Sequence, residues 1–195
     1  MAPTSSSSAV DALDAPDRRT LLDAARAAIA GGLEGRSASV KDLPAQSAAL
    51  RRHAATFVTL EIGGELRGCI GTLEAFQPLI VDTAENAYSA AFRDPRFAPL
   101  AAAEFERLDV HISILGTPEP MTFISEEDLL AQLRPGIDGL ILNELGRRGT
   151  FLPAVWESVA DPREFLGYLK LKAGLPRDYW SSTVQIYRYV TTSVS

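Results

Sequence analysis

Gly63-Gly64 stands between two segments rich in β-forming residues, Ala55–Ile62 and Glu65–Thr72. A two-residue glycine turn between such segments predicts a β-hairpin. A turn of two residues also sets the register: Ile62 faces Glu65, Leu60 faces Arg67 and Val58 faces Cys69. Opposed residues share a face, which groups Val58, Leu60, Ile62, Arg67 and Cys69 and leaves Phe57, Leu66 and Ile70 on the other. Both faces are part apolar, so the hairpin is expected to be covered on both sides. A period of two keeps Arg67 and Cys69 together.

The remaining segments alternate helix and strand without regular βαβ order. A first helix is expected from Asp14 or Asp17, with Pro16 in its first turn, an apolar stripe through Leu21, Leu22, Ala25, Ala28 and Ile29, and Gly31-Gly32 as its stop. A loop through Pro44 leads to the hairpin. Pro78 opens a second helix with Ile80, Ala84, Ala87, Tyr88 and Ala91 on one face, and Asp94-Pro95 ends it. Ala101–Arg107 reads as a short helix and Asp109–Leu115 as a strand. Ser125 and Asp128 give a helix start ahead of Leu129, Leu130 and Leu133. Leu140–Asn143 is a short strand, Gly146–Gly149 a turn, and Asp161-Pro162 the start of a helix closed by Gly174. Thr183–Val190 is the last strand expected. The fold class is α+β, a mixed, largely antiparallel sheet with packed helices. Residues 1–16, Ser- and Ala-rich, are expected to be a disordered leader, and 17–195 a single domain of two sub-lobes.

Composition narrows the function classes. One cysteine in 195 residues excludes an internal disulfide framework and a self-contained iron–sulfur cluster. With only His53 and His111, a His-rich metal site is not expected either, and no cofactor is evident. A net charge of -6 leaves no basic footprint for nucleic acid. No apolar run has the length of a membrane span. The expectation is a cytoplasmic protein.

The chemistry-bearing candidates centre on Leu66-Arg67-Gly68-Cys69-Ile70-Gly71. Glycine in a strand marks close approach by other backbone or by a ligand, so Gly68 and Gly71 are candidate ligand contacts. Cys69 is the candidate nucleophile, Arg67 the cation that favours its thiolate, and His111 a base if its strand lies alongside. The structural alternative makes Cys69 a small buried hydrophobe. Phe92–Phe97 holds a second cluster, in which Arg96 can offer a fork to an anion. Its structural alternative is an ion pair of Asp94 with Arg96 or Arg93, pinning the helix end while Phe97 fills the core. Trp156, Tyr179 and Trp180 read as packing residues, and Glu104 and Glu106 as a solvated helix face.

Four stretches together, LRGCIG at Leu66–Gly71, DPRFAP at Asp94–Pro99, GTFLP at Gly149–Pro153 and KAGL at Lys172–Leu175 with Trp180, resemble the AMMECR domain family, also called AmmeMemoRadiSam system protein A. The resemblance runs from about Thr20 to Val190 and departs at Asp138, where the family often has histidine. It implies an α+β fold of two unequal lobes with LRGCIG near a cleft between them. It also implies a radical SAM protein and a Memo-like protein as partners, and it supplies no reaction.

Overall fold

In the computed structural model, residues 13–37 and 47–195 are described. The loop through Pro44 and the leader up to residue 12 lie outside them. The chain divides into two compact units, one running to Leu115 and taking back Thr192–Ser195, the other Gly116–Thr191. Each has its own apolar core.

The first unit opens with α1 (Ala15–Leu33), whose N-cap Asp14 accepts the Asp17 N–H at 2.8 Å. Leu13, just before it, is buried in the core. Gly31-Gly32 does not stop the helix, which runs on until Gly35 takes a positive φ of 77°. Gly32 instead makes room for Phe92, whose ring would stand 2.2 Å from a Cβ there. After α2 (Ala48–Arg51) comes the expected hairpin, β1 (Thr56–Ile62) and β2 (Glu65–Gly71), with positive φ at both turn glycines. Then follow α3 (Leu79–Phe92), α4 (Ala102–Phe105) and β3 (Leu108–Leu115). The sheet order is β2-β1-β3-β8, the last strand being Thr191–Val194. Val58, Leu60, Val110, Ile112 and Ile114 turn one face of this sheet into the core with α1 and α3.

The hairpin register departs from expectation. Ile62 faces Glu65 and Glu61 faces Leu66, but Leu60 then pairs with Gly68 and Thr59 with Cys69. Arg67 is the extra residue of a β-bulge, and the slip of one moves every later side chain to the other face. Ile70 therefore joins the core face opposite Val58, and Cys69 leaves it. The outer face, with Phe57, Thr59 and Cys69, is half-buried rather than covered.

The second unit holds β4 (Glu119–Pro120), α5 (Glu126–Gln132), β5 (Gly139–Glu144), β6 (Arg147–Phe151), a 3-10 turn (Pro153–Glu157), α6 (Pro162–Lys172) and β7 (Gln185–Tyr189), with sheet order β4-β7-β5-β6. Gly149 lies inside β6, and the turn is Leu145-Gly146. Trp156 stacks on Phe165 at 3.8 Å between centroids and donates to the Asp138 carbonyl. Asp138 itself is buried and clamped by Arg134 at 2.6 Å, so this turn is held by an ion pair. The last expected strand is split: β7 ends at Tyr189, and β8 carries the chain into the first unit's sheet.

Candidate functional site

β2 is one of the two edges of the first unit's sheet, and an unpaired edge must be closed or it will pair with something else. Here side chains close it. The buried carboxylate of Asp94 accepts the Cys69 N–H at 2.9 Å, and Arg96 donates to the Cys69 carbonyl at 3.3 Å. Asp94 and Arg96 are themselves joined at 2.7 Å. The guanidinium holds the Asp94 carboxyl well below the usual carboxylate range, helped by the N–H groups of Cys69 and Arg96, and Asp94 in turn raises Arg96. Proline between them fixes the short loop that makes both contacts. The structural ion pair anticipated at this turn is present, but Phe97 is not core. It lies half-buried, with Arg67 and Arg96 stacked on it at 5.8 and 5.5 Å.

Arg67, pushed out by the bulge, is bound by Glu104: Nε to Oε1 at 2.7 Å and Nη2 to Oε2 at 3.1 Å, with the Ala98 carbonyl as a further acceptor. Glu104 raises the Arg67 pKa, and Arg67 lowers that of Glu104 to about 2. The guanidinium bound at Cys69 is that of Arg96, on its backbone carbonyl. The close approach that the glycines allow is made by the chain itself. A Cβ on Gly68 would stand 2.2 Å from the Ala90 carbonyl oxygen of α3, and one on Gly71 2.3 Å from the Phe57 ring.

Thr59 brings Cys69 and His111 into one row. It pairs with Cys69 on one side and His111 on the other, and its Oγ1 lies 3.4 Å from the sulfur. Cys69 and His111 are thus two strand spacings apart, about 9.5 Å, beyond direct hydrogen-bond reach. His111 instead stands 3.6 Å from Glu61. Among the described residues no group of three or more His, Cys, Asp or Glu is placed to hold a metal ion.

Comparison with known proteins decides the family. The AMMECR1 family model matches residues 22–194. The chain belongs to the AMMECR1 family. A protein of Methanothermobacter thermautotrophicus is 41% identical over 182 residues, covering 91% of this chain and 93% of that one. A protein of Thermotoga maritima is 43% identical over 141 residues, 71% of this chain and 76% of that one. The crystal structure of an uncharacterized protein from Pyrococcus horikoshii is similar with a TM-score of 0.79 at 34% identity, covering 89% of this chain and 88% of that chain. The AMMECR1 match spans both Leu66–Gly71 and Asp94–Pro99.

Sequence reasoning missed Glu104, which it read as solvated; its partner Arg67 lies 37 residues away and no local pattern announces the pair. It also missed Asp82 and Glu144, two buried carboxylates. No helix among the described residues is long and apolar enough to cross a membrane.

Proposed function

We propose that this AMMECR1 protein is an accessory or substrate-handling component acting with a radical SAM enzyme and a Memo-like protein, and that Leu66–Gly71 serves it as a structural joint. One observation carries this reading: most of the motif's polar groups are engaged within the chain, and Arg67 Nη1, which has no hydrogen-bond partner, is enclosed rather than offered to a ligand. Arg67 is taken by Glu104, Arg96 by Asp94, and the Cys69 backbone by Asp94 and Arg96. Guanidiniums so engaged are poor forks for an added anion, which counts against a nucleotide or small-anion module. The half-exposed row Cys69–Thr59–His111 remains as a surface that a partner can read. The test is anaerobic co-purification of the full chain with each partner. Complex formation with wild type that survives Cys69→Ser supports the reading; no complex with either partner overturns it.

One contact favours a second reading, a thiol enzyme. Thr59 Oγ1 is within reach of the Cys69 sulfur, and a hydroxyl there stabilises a thiolate. That reading expects native Cys69 to be alkylated by iodoacetamide with a rate that titrates below the free-thiol value of ~8.5. A rate titrating at or above that value removes it.

A further inference from the structure

The tip of the β5–β6 hairpin carries a residue that its backbone does not suit. The two-residue loop Leu145-Gly146 has φ of 49° and 76°, with Glu144 paired to Arg147 across it. Positive φ at both loop positions makes a type I′ turn, whose usual occupants are Asn-Gly, Asp-Gly or Gly-Gly. The β1–β2 hairpin, with a loop of the same length, has glycine at both positions. Among the described residues Leu145 is the one non-glycine with positive φ. A left-handed backbone presses the leucine Cβ against the following carbonyl, and leucine has no polar group to bond locally in return, as asparagine does.

Packing does not explain the choice either. Leu145 is 79% exposed, so neither the turn nor the core gains from its side chain. Strain of this kind gathers where a ligand or a switch makes use of it. The register shows what flanks the leucine. Glu144–Arg147 and Asn143–Arg148 are successive pairs, so the two exposed arginines leave the hairpin on opposite faces. Arg148 is engaged within the chain. Arg147 donates to the Gly174 carbonyl, a neutral acceptor that braces the guanidinium beside the tip and leaves its charge in place.

We propose that Leu145 is a docking anchor: it enters an apolar cleft on a protein partner, and a carboxylate at the rim of that cleft meets Arg147. The partner is one of those of the accessory role proposed above, on which this reading rests. A buried apolar anchor with a charge at its rim is the usual division of labour at such an interface, the first giving affinity and the second orientation. A lipid surface fits less well. One leucine and two arginines fall short of the roughly 4–8 basic residues that mark contact with anionic lipid. The chain's net charge of -6 opposes that contact further.

Leu145→Asn separates stability from docking, because asparagine suits the turn. The variant should melt roughly 2–4 °C above wild type. In anaerobic titration of the full chain it should bind the radical SAM or the Memo-like partner at least tenfold more weakly. Arg147→Gln, which keeps a donor for Gly174, should weaken the same complex less and flatten its salt dependence. A complex that Leu145→Asn leaves at wild-type strength overturns the anchor while the accessory role stands. Wild type that binds neither partner overturns the accessory role and the anchor with it. A melting temperature lowered by Leu145→Asn removes the strain that motivates the anchor and overturns it. Binding of wild type to phosphatidylserine vesicles that Leu145→Asn abolishes overturns it in favour of a lipid surface.

Discussion

The carboxylate of Asp94 lies 2.9 Å from the backbone nitrogen of Cys69, so the edge of the sheet is finished by a side chain and not by another strand. Removing it in Asp94→Ala strands the Cys69 N–H and leaves Arg96 without its counter-charge. A buried group with those two dependants is worth ~2–4 kcal/mol. Urea unfolding should show that loss, and light scattering should show association through the opened edge. Arg96→Ala, whose side chain is 53% exposed, should cost less than half as much. Equal losses in the two variants would contradict this ordering.

Gly68 and Cys69 are neighbours with opposite tolerances. A methyl on Gly68 meets the Ala90 carbonyl at 2.2 Å, backbone against backbone, with no flexible side chain to yield. Gly68→Ala should therefore reach or exceed the top of the ~1–3 kcal/mol range for overpacking. Cys69→Ser keeps size and the Thr59 contact and should stay within about 1 kcal/mol of wild type. Thermal denaturation of both variants checks the contrast, which fails if the serine variant is the weaker.

What the sequence made readable was local. Gly63-Gly64 announced the hairpin, Asp14, Ser125 and Asp161 announced helix starts, and Asp94-Pro95-Arg96 announced an ion pair at a turn. The bulge at Arg67 was not readable, because what holds it in place is distant: Glu104 takes the displaced guanidinium, and Gly68 must face Ala90. Gly31-Gly32 looked like a stop because the reason to keep glycine mid-helix, the Phe92 ring, lies sixty residues on. β8, Thr191–Val194, is short and polar, and it is a strand only because β3 offers it an edge. At the site, residue types were legible and their use was not: Arg67 was read toward sulfur and is bound to a carboxylate.

Acid should loosen the first unit before it unfolds for other reasons. Glu104 titrates at about 2 when folded, against 4.5 for an unperturbed glutamate, because Arg67 and then the Ala101 N–H bind its ionised form. A lowered folded pKa means that the stabilisation is complete above pH 4.5 and drains away as pH falls toward 2. Asp94, also lowered, continues the loss further into acid. Melting temperature should fall through this window, and Glu104→Gln, less stable at pH 7, should show a shallower fall. Parallel pH profiles for wild type and Glu104→Gln would refute the assignment.

Asp82 poses the same question deeper in the unit. It is fully buried in α3, and its carboxylate accepts the Thr56 N–H and hydroxyl, both at 2.7 Å. Thr72 Oγ1 at 2.8 Å, Gln77 Nε2 at 3.1 Å and Asn86 Nδ2 at 2.9 Å complete a set of neutral donors. One side chain thus ties the start of β1, the residue after β2 and the first turns of α3. Asp82→Ala leaves several of these donors unpaired in a dry site, where each costs ~1–3 kcal/mol, so a total of at least ~3 kcal/mol is expected. Asp82→Asn keeps the shape and one acceptor oxygen for Thr56, and should retain more than half of the stability lost in the alanine variant. Urea midpoints give the totals, and hydrogen exchange at the Thr56 amide gives the site: it should speed up in Asp82→Ala relative to amides of β3. An alanine variant within 1 kcal/mol of wild type would mean that water replaces the carboxylate, and that the hairpin is held to α3 by packing alone.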